Sequence, residues 1–153
     1  MSKVQTRQRK LRLPKSMVLK VGVMRPGEQH NEQGTTVGQI AAAHEFGLGN
    51  VPQRSFVRRW FDEEEQAFSR LAAGLMAQGF AGGFAGLRQA LELAGVKAAA
   101  GIKNFITEGR ATPAITNPRT IASKERRGFF PPYTPLVETG ALRNSIDSEV
   151  EVK

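Results

Sequence analysis

PLVETGALRNSIDSEVEV, residues 135–152, decides the fold. Residues 139–144 read as a short helix or polar turn that delivers a final strand. From Ile146 onward the pattern alternates strictly. Ile146, Ser148, Val150 and Val152 fall on one face, and Asp147, Glu149 and Glu151 on the other. Successive side chains of a strand point to opposite sides, so this is a half-buried strand with an acidic outer face. A second strand is expected at residues 17–23, MVLKVGV, which is rich in β-branched residues and partly alternating. Pairing the two brings both chain ends into one small antiparallel sheet.

Working outward, residues 36–61, TVGQIAAAHEFGLGNVPQRSFVRRWF, form the second informative block. Thr35 or Thr36 suits the N-cap of a helix, and Gln39 lies three residues after Thr36, as a capping box requires. Val37, Ile40, Ala41 and His44 share one helical face, and Gly47 is placed to stop the helix in a left-handed turn. So short a helix is marginal alone and must pack on something. An extended stretch around Pro52 should follow, then an aromatic cluster of Phe56, Trp60 and Phe61. Asp62 and Glu63 to Glu65 resemble the negative first turn of a helix, where the macrodipole favours acids.

Ala67, Phe68, Leu71, Ala72, Leu75 and Met76 then keep a helical period, as do Phe84, Leu87, Leu91, Ala94, Ala98, Ile102, Phe105 and Ile106. Between them GFAGGFAG, residues 79–86, holds four glycines. At about 1 kcal/mol each they favour a break over one continuous helix. The second helix should span roughly 84–108 and end at Gly109. Residues 25–34 and 110–118 read as loops, 120–126 as one or two helical turns, and 128–135, GFFPPYTP, as a stiff aromatic loop. The expected architecture is α+β: a small antiparallel sheet of N- and C-terminal strands packed against two long helices. Residues 1–15 form a flexible basic N-terminal arm, and 16–153 a single domain.

The 153 residues carry a net charge of +8, and the arm concentrates it. Residues 1–20 hold seven basic side chains and no acid, which leaves +1 for the remainder. Such an arm can contact nucleic acid, dock on an acidic partner or remain solvated. No apolar run is long enough to span a membrane, and no signal peptide is evident. The absence of cysteine excludes disulfides and thiolate metal sites and suits a reducing cytoplasm as the place of synthesis.

Candidate chemistry is sparse. His44 and Glu45 suggest a metal or acid–base pair, but position 48 is Leu where a zinc protease motif needs a second His. The other histidine, His30, lies in a loop. A helix-end histidine that packs or caps locally is the expectation. Residues 79–86 lack the Gly-Lys-Ser/Thr ending of a phosphate loop, and Ser55, Ser69 and Ser145 lack a nucleophile elbow. No catalytic residue, metal or cofactor is therefore expected. Arg126, Arg127, Phe129, Phe130 and Tyr133 mix basic and aromatic side chains. That mixture can stack single-stranded nucleic acid, anchor a loop in a partner's groove, or fold back on its own body. With Arg7, Arg9, Lys10 and Arg12 of the arm, these are the candidate interaction residues.

Together the phrases VGQIAAAHEFG (37–47), VPQRSFVR (51–58), TIASK (120–124) and PLVETGALRNSI (135–146) resemble a family of tailed-bacteriophage neck proteins. These are small head–tail joining or tail-completion proteins. The resemblance covers roughly residues 17–153. Ser55 departs from the family's usual Pro, residues 79–86 look expanded, and 128–135 is longer than the usual link. The resemblance implies no enzyme activity. It implies a virion protein that forms a homo-oligomeric, hexameric ring at the neck, finishing the tail and attaching it to the DNA-filled head. Neighbouring neck and tail-tube proteins would be its partners, with passing contact to packaged DNA. A terminator or stopper ring is the alternative within that class; a nucleic-acid-binding protein using the basic arm is the alternative outside it.

Overall fold

In the computed structural model, which describes residues 16–30, 34–136 and 140–153, the two chain-end segments pair as the alternation predicts. β1 (Met17–Val23) lies antiparallel to β2 (Ile146–Val152), with Met17 opposite Val152 and Val23 opposite Ile146. The ladder continues past the strands, where Ser16 and Lys153 exchange both backbone hydrogen bonds at 3.2 and 2.9 Å. Ile146 is fully buried, whereas Asp147 and Glu149 face solvent. On that outer face Lys20 Nζ reaches Glu151 Oε2 at 2.9 Å. So exposed a pair contributes little.

α1 (Val37–Phe46) starts at Thr36, whose hydroxyl accepts from Gln39 N–H while the Gln39 side chain accepts from Thr36 N–H. It ends at Gly47, at φ 69°, a left-handed conformation that only glycine adopts without steric cost. The preceding segment is no simple excursion: Gln29 bridges Thr36, and Glu28 O and Pro26 O accept the N–H groups of Val37 and Gly38. Residues 31–33 lie outside the described residues.

α2 (Val57–Phe80) and α3 (Gly83–Thr107) form an antiparallel hairpin. The glycines of residues 79–86 both break the helix and bring its halves together. A Cβ at Gly86 would lie 2.2 Å from Gly79 O, and one at Gly79 would lie 2.5 Å from Gly86 O. Only glycine at both positions permits this backbone approach. The far half of α3 crosses the sheet, contacting β1 and β2. α4 (Pro118–Arg126) is capped by Asn117, whose side chain accepts from Arg119 N–H, and has Pro118 at its first turn. α5 (Ala141–Ser145) then delivers β2.

The core joins all these pieces. Val37 and Ala41 of α1, Phe56 and Trp60 at the start of α2, Ala98, Ile102, Phe105 and Ile106 of α3, and Leu142 and Ile146 form one buried cluster. Trp60, Phe61 and Phe68 pack edge to face, with centroids 4.8 to 5.7 Å apart. Edge-to-face pairs gain more than their area alone would give. The two sequence blocks thus meet, α1 packing on α5.

One expectation fails. α2 begins at Val57, so Asp62 to Glu65 lie beyond its first turn, which contains no acid. The physical reason is that its N-terminus receives a carboxylate through space, from Glu45. The acids serve elsewhere: Arg110 Nη2 contacts Glu63 and Glu64, and Arg59 Nη2 contacts Glu63 at 3.1 Å. Residues 48–51 likewise form a turn, Val51 N–H bonding Leu48 O, before the chain extends beyond Pro52.

Candidate functional site

The four exposed N–H groups at a helix start need acceptors. α2 has no side-chain cap of its own. Instead Glu45, near the end of α1, turns its carboxylate onto it. Oε2 accepts from Phe56 N–H at 2.9 Å and Val57 N–H at 3.1 Å, and Oε1 accepts from Arg58 N–H at 3.1 Å. The negative charge also meets the positive end of the helix dipole. Ser55 holds the residue in place: its hydroxyl donates to Glu45 O at 2.8 Å and accepts from Gln53 Nε2. Arg54 N–H donates to His44 O at 2.7 Å. This clasp makes α1, the turn and the start of α2 one unit, and it gives the Ser at position 55 a role in it.

Beside the clasp opens a cleft of about 520 Å³. α1 contributes Ile40 and His44, the turn contributes Val51 and Arg54, α4 contributes Thr120 and Lys124, and Leu136 and Leu142 complete it. The helical face of α1 therefore splits, Val37 and Ala41 entering the core while Ile40 and His44 line the cleft. Arg54 is 7% exposed, and its Nε donates to Pro113 O at 2.6 Å. Lys124 is 1% exposed and donates to Thr134 O. His30 and His44 both reach the cleft, and the Nδ1 of each is buried without a hydrogen-bond partner among the described residues. Burial pushes the His44 pKa down to about 4, and the nearby Arg54 charge adds a smaller push in the same direction. His44 is thus neutral at pH 7. Among the described residues no group of three or more His, Cys, Asp or Glu side chains could hold a metal ion.

The predicted interaction residues divide. Arg7, Arg9, Lys10 and Arg12 lie outside the described residues. Arg126 is exposed at the end of α4. Arg127 turns back on its own helix, bonding Ser123 O through Nε at 3.2 Å and lying 5.7 Å from the Phe129 ring. Phe130 is 75% exposed and Tyr133 54%. The loop that carries them is anchored on both sides: Phe129 N–H bonds Lys124 O, and Ile115 N–H bonds Tyr133 O. Two large rings are thus held out to solvent on a braced loop. Along the hairpin, Leu71, Phe80, Leu93 and Val96 are also exposed.

Sequence reasoning did not single out Glu45 as a helix cap, or Arg54 and Lys124 as buried cations. A cap acting across eleven residues leaves no i, i+3 signature, and a basic residue in a polar phrase looks solvated. The short run PQRS, between a helix stop and an aromatic cluster, was the available hint. No family model, curated protein or solved structure matches the chain.

Proposed function

We propose that this chain is a structural subunit of the neck of a tailed-bacteriophage virion, which assembles into a ring that completes the tail and joins it to the head. The observation that carries the reading is the junction of the motif phrases in one buried cluster: Val37 and Ala41 from the first, Phe56 from the second, Leu142 and Ile146 from the last. The residues behind the resemblance are therefore those that build the fold. The remaining support is surface. Phe130 and Tyr133 stand exposed on a braced loop, and the hairpin presents Leu71, Phe80, Leu93 and Val96. Large exposed apolar side chains rimmed by charge mark association surfaces. A heterologous contact that repeats and closes yields a ring.

The test is a phage lacking this gene, viewed by electron microscopy. Unjoined heads and tails, or tails of irregular length, are expected, with normal particles restored by the gene supplied in trans. Fully joined, infectious particles in its absence would remove the reading. Within that system Phe130→Ser combined with Tyr133→Ser should leave the fold intact and block assembly. The nucleic-acid alternative gains little from the loop, because Arg127 is committed to Ser123 and Phe129.

A further inference from the structure

The sheet stops at β2, and the outer edge of that strand is open. Ser16 and Lys153 exchange both of their backbone hydrogen bonds. Such pairs alternate along an antiparallel ladder, so the N–H and C=O groups of Val150 and Val152 point away from β1. Among the described residues no third strand meets them. Ser148 presents its carbonyl on the same edge, while its N–H is taken by the Asp147 side chain at 2.9 Å. A free edge of this kind is a template for a further strand. The two faces of β2 specify what that strand should carry. On the outer face the lysines at the sheet, Lys20 and Lys153, both sit on Glu151, at 2.9 and 3.8 Å. Asp147 and Glu149 are exposed and have no ion pair among the described residues. On the inner face α3 packs more on β2 than on β1, yet Val152 stays 41% exposed.

We infer that the free edge of β2 receives residues 10–13 of a neighbouring copy's arm as a third strand. That stretch, KLRL, alternates: in a strand Lys10 and Arg12 share one face, and Leu11 and Leu13 the other. Set beside β2, the two cations lie on the outer face against Asp147 and Glu149. The two leucines then lie on the inner face beside Val150 and Val152. Opposite charges on neighbouring strands stabilise a sheet, and like charges there destabilise it. Charge also selects this edge over the free edge of β1, whose outer face carries Lys20 and no acid. A copy's own arm is poorly placed for it. From Ser16 the chain would have to cross two strand spacings, about 9.5 Å, and reverse its direction within Pro14 and Lys15. Three fully extended steps reach only about 10 Å, which leaves nothing for the reversal. The inference deepens the ring reading and rests on it for the presence of neighbouring copies. Each copy gives an arm and takes one, the head-to-tail relation that can close on itself.

The experiment measures self-association of the full chain by sedimentation after nuclease treatment, together with hydrogen exchange at the Val150 and Val152 amides. Association should rise with concentration and slow exchange at both amides. Lys10→Glu with Arg12→Glu, and separately Asp147→Lys with Glu149→Lys, should each weaken association roughly tenfold or more. An equimolar mixture of the two variants should regain it, because the acidic arm of one meets the basic strand of the other. An unaltered chain that stays monomeric up to about 1 mM overturns the inference, as it would if nucleic acid had bridged the arms. So does association that the arm variant retains, association without slowed exchange at the two amides, or a mixture no better than its parts. The arm substitutions lie outside the sheet and decide the matter even where the strand variant does not fold. Each of these outcomes leaves the neck reading to its own test, the phage lacking the gene.

Discussion

The two ends of the α2–α3 hairpin are built from the same helices and live in different surroundings. At the body end, Ala98, Ile102, Phe105 and Ile106 are buried, and the start of α2 is clasped by Glu45 and packed through Phe56 and Trp60. Towards the tip, Ala90 is the last buried residue of α3, and α2 contains no buried residue beyond Trp60. At the tip Phe80 is exposed, and Leu71, Leu93 and Val96 are exposed midway along the two helices. Both ends carry a helical apolar stripe, so periodicity alone does not tell a stripe that makes the core from one that awaits a partner. The body end is where the fold's stability resides; the tip is free to serve association.

Substitutions at the two ends should therefore separate stability from assembly. Phe105→Ala removes a fully buried ring beside Arg110 and should cost roughly 3–5 kcal/mol in urea unfolding. A loss below about 1 kcal/mol would mean that the body is not the stable end.

The next largest effect depends on pH. The His44 imidazole, held near pKa 4 in the folded chain, titrates near its ordinary value of 6.5 when unfolded. As pH falls through 6.5, the unfolded chain takes up a proton that the folded chain refuses. Stability should thus decline between pH 6.5 and about 4, by on the order of 2–3 kcal/mol, and this contribution should level off below. Denaturation of His44→Gln across the same range should lack that component. An unchanged slope would place the imidazole in water.

Glu45→Ala should cost about 1–2 kcal/mol, since it strips three N–H groups at the start of α2 of their acceptor. Hydrogen exchange should quicken at Phe56, Val57 and Arg58 first. Loosening confined to α1 would show that the clasp holds α1 and not α2. Smallest of all, Leu71→Ala on the exposed stripe should change monomer stability by less than about 0.5 kcal/mol. A cost like that of Phe105→Ala would erase the distinction between the two ends.

What was legible in the sequence follows the range of the forces involved. The Thr36 and Gln39 capping box, the Gly47 stop and the alternation of β2 all operate within a few residues, and each appears where the pattern places it. The glycine break between the long helices was equally local. Asp62 to Glu65 misled because acids usually mark a helix start when the cap is near in sequence; here Glu45 supplies the charge from another helix. The cleft was hidden for a related reason. Arg54 and Lys124 are buried through carbonyls of Pro113 and Thr134, backbone groups that every sequence possesses and that no side-chain pattern reveals. The loop at Phe130 and Tyr133 was legible as aromatic and stiff, but ring orientation is set by tertiary packing, so the exposure of both rings was not.

The hydrogen bonds between Ser16 and Lys153 place both strand ends side by side. That arrangement sets how the molecule responds to force. A pull applied between these two ends runs across the ladder and opens its bonds one after another, as a zipper parts, because antiparallel bonds lie perpendicular to the strands. A pull between the hairpin tip at Phe80 and the sheet runs instead along the axes of α2 and α3, where many contacts share it. Tension between the two strand ends is therefore met one hydrogen bond at a time, and tension along the hairpin by many packed side chains at once.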